Sequence, residues 1–296
     1  SSPSRGLGDV YKRQHMFRGL LYGSYQKPKE LVWIFGCTIY LAMMAEGFLG
    51  YVLPYGQMSY WGAQVIISLF GAIPYIGESL ELWVRGDYYI SGITVSRFFA
   101  LHVVALPLVL IALVFLHLVA LHEVGAGNPE GVDIEKYLDD DGVPLDSVPF
   151  FPYKVLNALI AIGVFMTVFS IIMFFFPEGG GYFIEMANFQ EANPLVTPDH
   201  IAPVWYYAPF YTMLRAIPDP LGGLIVMAAA VAIFFVVPWL DRSRVASIRY
   251  KGIYSKIAIT LFGVSFLTLG YLGTVGVTEV RKLSLIHISE PTRRTT

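Results

Sequence analysis

The chain has 296 residues, of which 55% are hydrophobic, 15% are aromatic and only 14% are charged. This balance is far from that of a soluble globular domain and excludes water as the main solvent of the surface. A net charge of −2 without a basic cluster argues against nucleic acid as a partner. The single cysteine, Cys37, cannot form an internal disulfide, and its apolar surroundings predict simple burial.

Both ends of the chain resemble library-adapter sequence. The DNA string GATGTGTATAAGAGACAG can encode residues 9–14, and its reverse complement can encode residues 283–288. The same nucleotide sequence in opposite orientations is typical of a transposase-type adapter, so it is set aside before fold reasoning. We therefore expect segments 1–14 and 283–296 to be non-native and the native part, truncated on both sides, to run from His15 to Lys282. His287 is then not a ligand candidate.

Five apolar stretches follow in chain order, at 31–53, 98–121, 155–176, 221–240 and 257–275. Each is close to the roughly 20 residues that a helix needs to cross a bilayer. Lipid offers no hydrogen-bond partner to backbone groups, so each stretch must be helical. The sequence predicts an all-α, polytopic transmembrane helical bundle, with a first part at 15–145 and a second at 146–282.

The connections differ between the two sides of the predicted bundle. The loops expected at the cytoplasmic side hold most of the lysines and arginines, as the positive-inside rule requires. The connections 54–97 and 177–220 lie on the other side and are rich in aromatics, glycine and proline. They are too long for simple turns, so we expect folded caps with short surface helices, where a site would be built.

Two histidines lie on the second predicted span. His102 and His117 are 15 positions apart, which on an ideal helix is four turns plus about 60° and about 22 Å of rise. Ionisable groups within a membrane span are costly and usually functional, and imidazole is a standard axial ligand of haem iron. Histidines hydrogen-bonded to neighbouring helices, or a proton relay in a carrier or channel, are the alternatives.

Gly36 and Gly50 lie 14 positions apart on the first span. Glycines on one helix face leave room for a flat macrocycle or for close helix packing. Their spacing nearly matches that of the two histidines, which favours two stacked haems between the two spans.

Several motifs in one order make the chain resemble the cytochrome b family across 15–282. The segment HMFRGLLYGSY (15–25) resembles the end of the second helix of that family. The segments GFLGYVLPYGQMSYWGA (47–63) and RFFALH (97–102) resemble its third and fourth helices. The family's quinol-site loop resembles NPLVTPDHIAPVWY (193–206) and LRAIPDPLGG (214–223).

The resemblance implies two haem b groups. It assigns His15 and His117 to the iron of a high-potential haem and His102 to one axial position of a low-potential haem, whose second ligand lies outside this chain. Arg18 and Trp33 match positions near a haem propionate, where a guanidinium and an indole N–H are suitable donors. A snorkelling Arg and an interface Trp are the alternative interpretations.

The implied activity is bifurcated oxidation of ubiquinol, with one electron passing to a Rieske iron–sulfur protein and the other crossing the membrane through the two haems to quinone. The implied quinol-oxidation pocket is formed by Phe48, Gly62, Pro203, Val204, Trp205 and Tyr206, and His122 lies at the implied quinone-reduction site. A cytochrome c1-type subunit, membrane lipid and a homodimeric complex in the bacterial inner membrane complete the expectation. Alternatives are a plastid-type cytochrome b relative and a haem-containing membrane anchor of a dehydrogenase.

Three departures from the family pattern stand in the sequence. Val204 replaces the glutamate of the usual Pro-Glu-Trp-Tyr motif, so a proton acceptor must be found elsewhere, in water, a ligand of the Rieske partner or Tyr206. The two histidines are one residue further apart than in mitochondrial relatives. Asn157 and Ala158 replace an expected Lys-Asp pair. We expect His200 to be a hydrogen-bonding loop residue.

Overall fold

A computed structural model of the chain describes residues 8–131, 136–145, 147–179, 185–198, 201 and 203–275, with side chains from His15 onward. Arg281, Lys282, His200, His287 and the segment 283–296 lie outside the described residues. Within them the chain forms ten α-helices. These are α1 (Gly8–Leu21), α2 (Glu30–Val52), α3 (Gln57–Gly71), α4 (Gly77–Arg85), α5 (Gly92–Ala100), α6 (Leu106–Val124), α7 (Val155–Phe175), α8 (Ala208–Ala216), α9 (Pro220–Leu240) and α10 (Ile253–Thr274).

The prediction of five membrane-spanning helices is confirmed. Glu30–Val52, Gly92–Val124, Phe150–Phe175, Pro220–Leu240 and Ile253–Thr274 are long and apolar enough to cross a bilayer. Their apolar side chains point outward, and none of the most apolar window of Phe150–Phe175 is buried within the chain. Such surfaces are stable only in lipid or against partner helices, so the chain is a multi-pass membrane protein.

Two spans begin at N-cap residues, Ser91 and Asp219, whose side chains accept hydrogen bonds from backbone N–H groups and fix the helix starts. The Ser91 hydroxyl accepts a hydrogen bond from Ile93 N, and the backbone N–H of Ser91 donates to Thr94 Oγ1, a reciprocal capping box. The second span therefore starts before the predicted residue 98. α9 begins where Asp219 accepts a hydrogen bond from Gly222 N at 2.6 Å.

The two long connections are folded caps, as predicted, and the structure shows that they interlock. The first contains α3 and α4, and the second contains a 3₁₀ turn (Met186–Phe189) and α8. Asn188 receives a hydrogen bond from Ser59 N and donates one to Ser59 Oγ, both at 2.9 Å. The side chain of Gln57 accepts from Asn193 N at 2.7 Å. Because these groups are mostly buried, losing one partner leaves the other unsatisfied, so the second cap is fastened to the first.

α8 is held against the last span by polar contacts. Thr212 Oγ1 donates to Leu269 O at 2.7 Å, and Arg215 donates to Leu272 O at 3.1 Å. The Arg215 guanidinium also lies 4.7 Å from the centre of the Tyr211 ring, a cation–π distance. The C-terminal part of the second cap is therefore fixed on α10.

The opposite end of the bundle is tied together at Asp241, directly after α9. Its carboxylate accepts hydrogen bonds from Tyr25, Gln26 and Lys251, at 2.6, 2.9 and 2.5 Å. Burial works to raise the pKa of Asp241, but the hydrogen bonds from Lys251, Tyr25 and the others outweigh it and hold the pKa well below its usual range. Burial and the bond to Asp241 raise the pKa of the Tyr25 phenol.

A small core adjoins this corner. Tyr25, Trp33 and Cys37 form a buried cluster, and the expectation that Cys37 is buried is confirmed, since it is 3% exposed. The Trp33 indole N–H donates to Phe234 O on α9 at 2.6 Å. α1, which carries His15 in its middle, reaches this cluster through Leu20 in its last turn.

Candidate functional site: two histidine centres and an apolar cavity

His15 and His117 face each other, on α1 and α6. Their ring centroids are 6.2 Å apart, and the ring planes are inclined by 75°. A Cβ placed on Gly36 of α2 would lie 3.4 Å from His117 Cε1, so this glycine borders the same space. The structure thus brings together three residues that the sequence predicted to share a site. We call them the His117 centre.

The separation of these rings fits a shared metal ion. Two imidazoles bound on opposite sides of one ion, each with a nitrogen–metal distance of about 2 Å, have ring centroids about 6 Å apart. The observed value agrees with that geometry. A pair of histidines from neighbouring helices, beside a glycine that leaves room for a flat group, is the donor set that bis-imidazole haem requires.

The second centre lies toward the other end of the same two spans. His102 packs beside Gly50 of α2, where an added Cβ would lie 2.5 Å from His102 Cε1. Its Nδ1 is 3.0 Å from the backbone oxygen of Glu46 and 3.1 Å from Glu46 Oε1. We call these three residues the His102 centre. Sequence reasoning missed Glu46, although an acidic residue within a membrane span was a signal for it.

His102 lies in a π-helical turn, Leu101–Ala105, between α5 and α6. The turn closes where Leu106 N–H donates to Leu101 O, five residues back, and Pro107, which has no N–H, follows. A π turn absorbs one extra residue relative to an α-helix. The 15 positions between His102 and His117 therefore rotate like about 14 α-helical residues. This brings the histidines into register with Gly36 and Gly50, so the extra residue noted in the sequence does not separate the two centres.

Other predicted contacts have a different outcome. The Trp33 indole N–H donates to Phe234 O, and its expected contact with a propionate stays a prediction. Arg18 is exposed in the last turn of α1, and His122 is exposed in the last turn of α6. These two assignments stay predictions.

A cavity of about 560 Å³ lies beneath the interlocked caps, between α2, α3, α8 and α9. Four of the six residues predicted for the quinol pocket line it: Phe48, Gly62, Pro203 and Val204. Aliphatic and aromatic side chains make up most of the remaining wall, including Leu41, Met44, Val65, Ile66, Leu69, Phe210 and Leu214. Such a space suits a flat apolar ring system.

The tyrosines of the second cap are arranged differently from the prediction. Trp205 and Tyr206 do not line the cavity; Trp205 is 54% exposed, and Tyr206 points at Gly47, where an added Cβ would lie 2.6 Å from its hydroxyl. Tyr207 and Tyr211 line the cavity instead. The sequence-based assignment missed them because the turn 205–207, which enters α8, decides which ring points inward.

Tyr207 supplies the cavity wall with a polar group. Its hydroxyl donates to Met44 O, and burial is the main cause that raises the pKa of the phenol. Tyr211 donates to Ile201 O at 3.1 Å. Backbone acceptors fix both phenols, and the raised pKa of Tyr207 keeps that phenol protonated at neutral pH. The described wall includes no carboxylate, in agreement with Val204 in place of glutamate.

These features define a class of protein: a polytopic membrane bundle with intramembrane histidine centres of the kind that hold haem. Residues 13–209 match the family model described as Cytochrome b(N-terminal)/b6/petB, and residues 191–288 match Cytochrome b(C-terminal)/b6/petD. The chain belongs to the cytochrome b family, as its motifs predicted.

Individual relatives agree with this assignment. The cytochrome b of Allochromatium vinosum is 55% identical over 88% of this chain and 64% of its own length. That of Rickettsia bellii is 48% identical over 88% of this chain and 62% of its own length. A solved chain titled "Hyperthermophilic respiratory Complex III" matches with a TM-score of 0.82 and 35% identity over 94% of this chain and 71% of that chain. The chain thus spans less than two thirds of the length of the two cytochromes b. The match to the solved chain extends through both caps, which the membrane-anchor alternative does not explain.

Proposed function

We propose that this chain is the membrane core of the cytochrome b subunit of a ubiquinol:cytochrome c oxidoreductase in the bacterial inner membrane. In that complex it carries electrons from ubiquinol across the membrane to quinone, coupled to proton translocation, with two haem b groups. The observation that carries the proposal is the His15–His117 pair, whose rings are 6.2 Å apart across a space bordered by Gly36.

The protein's own residues hold and orient the cofactors. His15 and His117 would hold the iron of one haem, and His102 would supply one ligand to the iron of the second haem. Within the described residues no second histidine lies beside His102, since His117 and His122 are at the other end of the same helix and His15 faces His117. Haem bound between two imidazoles supplies one-electron transfer at a potential set by its ligands, hydrogen bonds and burial.

The cavity is the proposed site of quinol oxidation. Its apolar wall excludes water and accepts a quinone ring, while Tyr207, anchored on Met44 O, limits how deep the ring can enter. Val204 cannot accept a proton, so a quinol hydroxyl there must release its proton to water or to a group of the partner protein. His122, at the far end of α6, stays the proposed residue of the quinone-reduction site.

The proposed partners are a Rieske iron–sulfur protein and a cytochrome c1-type subunit at the caps, with a second copy of the complex and lipid around the spans. Exposed apolar side chains on the second cap support docking there. The adjacent Leu195 and Val196 are 93% and 56% exposed, and Trp205 is 54% exposed; large exposed apolar surface marks interaction sites.

The pocket is tested by filling it in the full-length cytochrome b within its purified complex. An added Cβ on Gly62 meets nothing within 4 Å, so Gly62→Leu extends into the cavity without displacing the backbone. We expect kcat/KM for ubiquinol oxidation to fall at least about tenfold, which corresponds to about 1.4 kcal/mol.

The matched control is Gly163→Leu on α7. Gly163 also borders open space, since a Cβ added there meets nothing within 4 Å, but it does not line the cavity. This substitution should leave quinol oxidation unchanged. Equal rates for wild type and Gly62→Leu, with normal haem content, would contradict the pocket assignment.

A further inference from the structure

Glu46 lies within a membrane-spanning helix, six residues before its end at Val52, and nothing in the pocket accounts for it. Its neighbours Ala45 and Phe48 line the cavity, whereas Glu46 does not. Its side chain is 21% exposed, and Oε2 is buried without a hydrogen-bond partner among the described residues. Acidic groups at such depth are costly and are kept where they act on a neighbouring group.

The neighbouring group is the imidazole of His102. Two acceptors of Glu46, its backbone oxygen and Oε1, lie about equally far from the same ring nitrogen, at 3.0 and 3.1 Å from Nδ1. Two acceptors around one nitrogen favour a proton on Nδ1. The other nitrogen, Nε2, then carries the lone pair that a metal ligand requires.

The His117 centre provides an internal reference for this arrangement. Glu46 precedes Gly50 by four positions, and Val32 precedes Gly36 by four, so both lie one turn below a glycine on the same helix face. The buried Nδ1 of His117 has no hydrogen-bond partner among the described residues. The spacing to the glycine repeats, and the carboxylate is present at one centre alone.

We infer that Glu46 is a positioning residue for His102, whose carboxylate accepts the Nδ1–H, fixes the ring with Nε2 toward the haem iron and lowers the reduction potential of that haem. This inference rests on the proposed haem ligation by His102. Carboxylates behind metal-bound histidines fix the tautomer and raise the basicity of the ligand. A more basic ligand stabilises ferric over ferrous iron, and hydrogen bonding of this kind is a recognised means of tuning haem potentials.

The test uses the complete cytochrome b in its purified complex, with Glu46→Gln as the variant. Glutamine keeps the size and an acceptor oxygen but loses the charge of the carboxylate. Redox titration of the reduced b-haem absorbance should show an upward shift of one midpoint potential, that of the haem lost in His102→Leu. The ferric electron paramagnetic resonance signal of the same haem should move, and the other haem should keep both values.

Two further variants complete the design. Glu30→Gln removes the same charge at the opposite end of α2 and should leave the potential of the His102 haem unchanged. Glu46→Asp should return the potential toward the wild-type value. If Glu46→Gln instead loses that one haem and Glu46→Asp regains it, the positioning role is equally supported.

Unchanged potential and resonance signal in Glu46→Gln, with both haems present, would overturn the inference and leave the proposed function intact. Retention of both haem components in His102→Leu would instead overturn the ligand assignment on which the inference depends. The two failures are therefore distinguishable.

Discussion

The His117 centre and the His102 centre are built on the same two spans, yet they are completed differently. At the first, two imidazoles face each other at 6.2 Å, and Gly36 leaves ordinary contact distance to His117. At the second, one imidazole is held by Glu46 and fits so closely against Gly50 that a Cβ would approach it to 2.5 Å. The His117 centre is defined by two facing imidazoles. The His102 centre is defined by one imidazole and by Glu46 and Gly50, which contact it.

This difference shows how a repeated backbone arrangement can produce two chemical environments. The 14-position repeat along α2 sets glycines opposite both histidines, and the π turn keeps the histidines in register with them. The residue one turn before each glycine then distinguishes the centres, valine in one and glutamate in the other. Backbone geometry fixes where cofactors can lie, and single side chains set how they behave.

Replacing Gly36 or Gly50 with alanine gives the largest expected difference in haem content between the two centres. In the full-length protein, Gly50→Ala should lose most of the His102 haem, because its Cβ would meet His102 Cε1 at 2.5 Å and Glu46 restrains the ring from moving away. Gly36→Ala places its Cβ at 3.4 Å from His117, a contact that small shifts can relieve, so the His117 haem should be largely retained.

Haem content per protein and reduced-minus-oxidised spectra measure both variants. Equal haem loss in the two variants would break the contrast, because it would mean that the closer approach at Gly50 has no consequence.

Asp241 should affect the His117 centre more than the His102 centre. Asp241→Asn removes the acceptor charge that joins Tyr25, Gln26 and Lys251, and we expect a stability loss of about 1–3 kcal/mol at pH 7. The pKa of Asp241 is lowered in the folded state, so its contribution is present above the unfolded pKa of about 3.9 and disappears as pH falls through the folded value.

Thermal unfolding from pH 7 down to pH 3 tests this expectation. The difference in Tm between wild type and Asp241→Asn should narrow below about pH 4, where the unfolded-state carboxyl becomes protonated. Heat should release the His117 haem earlier in the variant, with a smaller shift in the release temperature of the His102 haem. A pH-independent Tm difference, or a larger shift for the His102 haem than for the His117 haem, would contradict the expectation.

The smallest effect on stability is expected at the surface ion pair between Arg249 and Glu130. Arg249 pairs with Glu130 at the surface, with about half of each side chain exposed, 54% and 45%. Exposed ion pairs contribute about 0–1 kcal/mol. Arg249→Gln should therefore leave both haems in place and change the Tm by less than Asp241→Asn does. A larger destabilisation than that of Asp241→Asn would show that this surface pair holds the corner together.

Much of this arrangement could be predicted from the sequence, for identifiable physical reasons. Length and hydropathy fix the spans because lipid forces helices, and spacing indicated the pairing of His117 with Gly36. Spacing could not show that His102 sits in a π turn, since the turn depends on how the helix accommodates Pro107. Nor could it show that Tyr207 rather than Tyr206 faces the cavity, because the turn 205–207 that leads into α8 decides it.

The most direct test of the account is a redox titration of the b-haem absorbance in complete complexes carrying His117→Leu or His102→Leu. Each variant should lose one component and retain the other, and the lost components should differ, because the two histidines lie at opposite ends of one span. Loss of the same component in both variants, or retention of both components in either one, would contradict the assignment of two separate haem centres.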